Sequence, residues 1–105
     1  LWEGNVLISR KNDIYDVAAI IDMDRATFGD PDLEFASQWM INDAFIEGYG
    51  KALDTSLHNI QRRKVYQLLF HLLDSYIWYA QYNDTEKSKK KKQNALHLLN
   101  ELVSF

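Results

Sequence analysis

Apolar residues fall into distinct patterns along this chain. Val6, Leu7, Ile8 and then Val17, Ala18, Ala19, Ile20, Ile21 form two short runs rich in β-branched residues, separated by the polar stretch Arg10, Lys11, Asn12, Asp13 with its turn formers. That arrangement predicts a β-hairpin. Both runs are apolar at consecutive positions rather than alternating, which predicts strands covered on both faces and so a hairpin buried within a larger body.

Beyond Gly29 the period changes. Asp30 and Pro31 form a helix start signal, a carboxylate able to cap free amides followed by proline at the first helical position, and Asp32 and Glu34 add charge that favours a helix N-terminus. Leu33, Ala36, Met40 and Ala44 then recur at spacings of three and four, predicting one helix that breaks near Gly48 and Gly50. Val65, Leu68, Leu69, Leu72, Leu73, Tyr76, Ile77 and Ala80 predict a long helix, with Asp54, Thr55 or Ser56 as its cap. A last helix is expected after Asp84 or Thr85, with Ala95, Leu98, Leu99 and Leu102 on one face. The lysines in its first turns oppose the helix dipole and predict fraying there. The fold class expected is α+β, mostly α: a buried β-hairpin followed by three to four helices.

Composition narrows the function classes. With 105 residues, 47% of them hydrophobic and 13% aromatic, the chain can form one modest domain with a core and is not a disordered segment. No linker separates residues 1–30, which hold the hairpin, from the helical stretch 31–105. Residues 1 to 60 hold 11 acidic and 4 basic side chains, net −7, and residues 61 to 105 hold 4 acidic and 8 basic, net +4, together the formal −3. The absence of cysteine excludes disulfides, thiolate zinc sites and thiol catalysis. His58, His71 and His97 are too scattered for a metal cluster. No apolar run approaches the roughly 18 residues of a membrane span, and no signal peptide opens the chain, so a cytoplasmic protein is expected. Lys87, Lys89, Lys90, Lys91 and Lys92 lack interleaved aromatics and arginine; in a net acidic chain they read as a solvated helix start, not a nucleic-acid or membrane surface.

The hairpin's open end carries the candidate chemistry. A turn centred near Asp13 or Ile14 makes paired residue numbers sum to about 27 or 28, which puts Asn5 beside Asp22 at the ordinary cross-strand spacing of roughly 4.5 to 6 Å. An amide oxygen and a carboxylate with no Cys or His nearby suit a hard cation such as Mg²⁺. The same spacing is met equally by a turn residue at Asn5 and a cap at Asp22.

The segments Leu1-Trp2-Glu3-Gly4-Asn5-Val6-Leu7-Ile8 and Ile20-Ile21-Asp22 through Gly29-Asp30-Pro31-Asp32-Leu33-Glu34-Phe35-Ala36 resemble the aminoglycoside phosphotransferase and choline kinase-like family of small-molecule kinases, whose fold is protein-kinase-like. The family pattern runs H-x-D-x-x-x-x-N, a strand ending in I-D, then G-D-P-x-x-D-L-A. Order and spacing match here, and Phe45-Ile46-Glu47-Gly48-Tyr49-Gly50 resembles a later segment. The likeness extends through about residue 50 and is merely compatible over the helices beyond. It implies part of a kinase-like C-terminal lobe that phosphorylates a hydroxyl of an aminoglycoside, choline-like amine or sugar with ATP. Asn5 would then be the catalytic-loop asparagine and Asp22 the aspartate opening the activation segment, the pair that holds Mg²⁺ on the ATP phosphates.

By the same resemblance Leu7 and Ile21 match positions that floor the adenine pocket, although ordinary strand core accounts for them as well. Asp24 either reaches the metal through water or is a solvated loop acid. The expected catalytic aspartate falls immediately before Leu1, and the glycine-rich loop, phosphate-binding lysine and its glutamate belong to an N-terminal lobe outside this sequence. The chain therefore reads as a fragment, inactive alone. Glu34-Phe35-Ala36 stands where the family has D-L-A. Trp39, Trp78, Tyr79 and Tyr82 are candidates either for an acceptor pocket or for core, and Asp43 and Glu47 for contacts to a cationic acceptor. Uncovering Leu7 and Ile21 predicts self-association into a homodimer. A reading from a different class is a helical interaction or regulatory module in which the hairpin acids are only scaffold.

Overall fold

Asn12 and Asp13, at φ 52° and 61°, close a two-residue turn between β1 (Val6–Lys11) and β2 (Ile14–Ile20). Both angles lie in the left-handed region that Asn and Asp tolerate better than other side chains, and such turns match the twist of paired strands. The structure, a computed structural model, describes residues 1–23, 26–37 and 42–104. The chain divides into two compact units, Leu1–Asp30 and Pro31–Phe105.

In the first unit the antiparallel register runs from Lys11↔Ile14 to Ile8↔Val17 and then shifts to Leu7↔Ala19 and Val6↔Ile20, which leaves Ala18 as the extra residue of a β-bulge. Val17 and Ile20 are three residues apart and would face opposite sides of a regular strand. The bulge gathers both onto the side of Val6, Ile8 and Tyr15. Leu7, Ser9, Asp16 and Ala19 occupy the other side. The expected burial on two faces is not observed: Ile8, Ile14, Tyr15 and Val17 are each more than 60% exposed. Consecutive β-branched residues satisfy strand propensity without specifying a cover. Ahead of β1, Glu3–Asn5 forms a 3-10 turn, held by the Asn5 N–H donating to the Trp2 carbonyl at 3.0 Å. The Trp2 ring lies where a Cβ at Gly4 would stand, so a larger residue there would displace the ring.

In the second unit the helix expected from Pro31 to Gly48 is instead two elements. Pro31–Ala36 is a 3-10 helix, and α1 (Asp43–Tyr49) starts afresh at Asn42, whose extended backbone and side-chain oxygen cap the Phe45 N–H at 2.9 Å. Asn competes for backbone donors at such a position and restarts the helix. Met40, expected on that helix, lies outside the described residues. Gly50 ends α1 at φ 76°, a left-handed cap. Phe35 is buried with Ala36 and Ser37, and its ring meets Phe45 and Tyr49 edge-on at 5.7 and 4.7 Å.

Helices α2 (Leu57–Ala80) and α3 (Thr85–Val103) form an antiparallel pair. Asn83, at φ 52°, turns the chain, and the Asp84 N–H reaches back to the Trp78 carbonyl at 2.8 Å. Ser75 and Ser88 exchange hydrogen bonds across the pair at 3.0 and 2.8 Å, Lys91 meets Asp74 at 3.0 Å, and Lys64 meets Glu101 at 2.7 Å. Ala95 and Leu98 are buried between these contacts, whereas Leu99, expected on the same face, is 42% exposed. The first turns of α3 are helical rather than frayed. Asp84 caps the Lys87 N–H at 2.9 Å, and the Lys87 ammonium sits 4.1 Å from the Trp78 ring centroid, which offsets the unfavourable dipole. Asp32 of the 3-10 helix accepts from Arg62 at 2.7 Å and lies 3.5 Å from Arg63, which itself donates to the Asp54 carbonyl at 2.7 Å. Among the described residues no helix is long and apolar enough to cross a membrane.

Candidate metal centre

The turn sits about one residue earlier than expected, and the bulge returns part of that offset, so at the open end Asn5 lies opposite Ile21 rather than Asp22. The Ile21 N–H donates to the Asn5 carbonyl at 2.9 Å. This bond ties the end of the 3-10 turn to the residue just before Asp22, so Asn5 shares its strand face with Ile21, and Asp22 follows at the same end of the hairpin. Asn5 is half-buried and Asp22 exposed. Asp22 adopts φ 57°, a conformation uncommon for residues other than glycine. Asp tolerates this region better than most side chains, as Asn12, Asp13 and Asn83 do at their turns. Here it bends the chain immediately after β2, and the Ala26 N–H then closes a turn onto the Met23 carbonyl at 3.0 Å.

The donor set at this mouth is one amide and one carboxylate, both hard oxygen ligands. Mg²⁺ keeps several waters and takes one or two protein carboxylates plus substrate phosphates, so an exposed pair fits it better than a closed cage would. Among the described residues no three His, Cys, Asp or Glu side chains converge to hold a metal. Asp24 lies outside the described residues. Leu7 pairs with Ala19, and strand alternation carries that same side on to Ile21, so Leu7 and Ile21 share a face beside the mouth. They are 47% and 44% exposed.

The remaining candidates are dispersed. Asp43 and Glu47 are exposed on α1, and Trp39 lies outside the described residues. Trp78 stacks against Tyr82 at 4.9 Å and carries Lys87 over its ring, so one of its faces is occupied by the protein's own cation. Tyr79 is 62% exposed. His97 pairs with Glu101 at 3.0 Å, and Lys64 and His97 together hold the Glu101 carboxyl below its ordinary range. His71 is half-buried against α3; burial first, and the Lys91 charge second, lower its pKa. Nothing in the sequence marks the Arg62, Arg63 and Asp32 cluster, because Asp32 fits a helix-start pattern and its cationic partners lie 30 residues away along the chain. Comparison with protein families, curated proteins and solved structures returns no match.

Proposed function

We propose that this chain is the metal- and nucleotide-holding portion of a kinase-like C-terminal lobe, belonging to an ATP-dependent phosphotransferase that phosphorylates a hydroxyl of a small molecule. The observation that carries the reading is the hairpin mouth: Asn5 and Asp22 stand at one end of the hairpin, linked through Ile21, with Asp22 held in left-handed backbone. Their order and spacing are those of the resemblance described above, which supplies the roles.

Asn5 and Asp22 would hold Mg²⁺, which would supply charge neutralisation at the ATP phosphates. The Asn5 backbone is held from both sides, by its N–H to the Trp2 carbonyl and its carbonyl to the Ile21 N–H, which fixes where its side chain leaves the main chain. Leu7 and Ile21, on one face, provide the apolar surface on which an adenine ring lies. The acceptor is an aminoglycoside, a choline-like amine or a sugar in a cytoplasmic enzyme, and its hydroxyl is oriented by an aspartate that this chain does not supply.

Paramagnetic titration of isotope-labelled chain with Mn²⁺ and ATP tests the assignment. Line broadening should centre on Asn5 and Asp22 and vanish in Asp22→Ala. Broadening spread instead over Asp30, Asp32 and Glu34, and unchanged by that substitution, would remove the pair from the site.

A further inference from the structure

A single 3-10 turn has little stability of its own, because ordering its backbone costs about as much as its few hydrogen bonds return. In Glu3–Asn5 the Asn5 N–H donates to the Trp2 carbonyl and the Val6 N–H to the Glu3 carbonyl. Neither bond engages Gly4, which stands between them and immediately ahead of Asn5. Glycine has the widest backbone freedom of any residue, so Gly4 is the joint about which the Asn5 side chain could swing.

The Trp2 ring lies against that joint. Its Cη2, Cζ2 and Cζ3 atoms occupy the space that a Cβ on Gly4 would need, a fit that only the bare glycine backbone admits without moving the ring. Beyond Asn5 the chain is set separately, by the Ile21 N–H donating to the Asn5 carbonyl at 2.9 Å. The ring therefore governs the segment entering Asn5 and the hairpin governs the segment leaving it. Direction matters for an amide ligand: it offers one oxygen, and Mg²⁺ demands near-ideal octahedral geometry.

We infer that the Trp2 ring is a positioning group for Asn5. By pinning Gly4 it sets the direction in which the Asn5 side chain leaves the backbone toward the metal, and it has no contact with metal or nucleotide in this role. The inference rests on the reading of Asn5 and Asp22 as metal ligands given above.

Two substitutions disturb the ring in different ways. Trp2→Ala removes it and Gly4→Ala displaces it, while Asn5, Asp22 and the Trp2 carbonyl all remain. At 43% exposure Trp2 is not a core residue, so the amide shifts of β1 and β2 should be retained in both variants. In the isotope-labelled 105-residue chain without metal, each variant should lower the heteronuclear NOE of the Asn5 side-chain amide. Each should also raise the midpoint of the Mn²⁺ and ATP titration roughly 10-fold, the low end of what groups orienting a metal ligand contribute. Trp2→Phe, which keeps a ring, should recover most of both losses. With the ring already gone, adding Gly4→Ala to Trp2→Ala should cost nothing further, because the two act through one contact. An Asn5 amide as ordered in Trp2→Ala as in the parent, an unchanged titration midpoint, or losses that add in the double variant would overturn the positioning role and leave the metal reading standing. A parent chain in which Mn²⁺ and ATP broaden neither Asn5 nor Asp22 would overturn both.

Discussion

The backbone role of Asp22 and its proposed metal role can be separated at the level of the single residue. At φ 57° a side chain costs roughly 1 kcal/mol relative to glycine, while glycine loses more entropy on folding. Asp22→Gly should therefore unfold at a urea concentration no lower than the parent yet lose the Mn²⁺-dependent broadening, a split that a purely structural aspartate would not produce. His71 gives a second residue-scale handle. Its pKa lies below the ordinary 6.5 when folded, chiefly through burial and then through Lys91. Above 6.5 the imidazole is neutral whether folded or unfolded and contributes nothing; below it the unfolded chain takes up the proton first, so stability falls as pH drops through the window beneath 6.5. Urea midpoints measured from pH 7.5 to 5 should decline, and His71→Gln should flatten that decline above the carboxylate range, where Glu101 begins to titrate in its turn.

The helix pair is the element on which packing predictions bear most directly. Replacing the Asp84 cap with alanine should cost about 1 kcal/mol, since the Lys87 N–H loses its acceptor at a position where neighbouring lysines already disfavour the helix start. Ala95, 2% exposed, leaves no room for a larger side chain, and Ala95→Leu should cost about 1–3 kcal/mol by chemical denaturation. These elements were largely legible in the sequence: the long helix from its apolar period, α3 from Asp84, the hairpin from its two β-branched runs. The stretch after Pro31 was not, because Asp30 and Pro31 announce a 3-10 and an α-helix alike, and the Asn42 cap looks from sequence like any polar helical position. The candidate site was legible to within one residue. Register fixes which residues share the hairpin mouth, but the turn lies at Asn12 and Asp13 and the bulge at Ala18, and a bulge depends on which faces of the two strands must agree. Burial was the least legible property, since a run of apolar residues does not name what packs against it.

For the molecule as a whole, the proposed function divides phosphoryl transfer into parts: holding a metal on phosphates is one, and orienting the acceptor and clamping the nucleotide are others, to which the proposal assigns no residue of this sequence. Incubated with radiolabelled ATP and aminoglycosides, choline-like amines or sugars, the 105-residue chain should transfer no phosphate above blank. Turnover that survives purification and disappears in Asp22→Ala would mean that the chain itself completes the site.

The unpaired residue at Ala18 also sets a rule for which length changes this hairpin can accept. Side chains alternate with a period of two, so inserting or deleting a single residue in either strand turns everything beyond that point to the opposite face. Removing Ala18 is the exception: it would leave a regular ladder with Ile8 still opposite Val17, Leu7 opposite Ala19 and Ile21 bonded to Asn5. A residue added or lost elsewhere in one strand has no such extra position to absorb it, so parity, more than residue identity, links the turn to the open end of the hairpin.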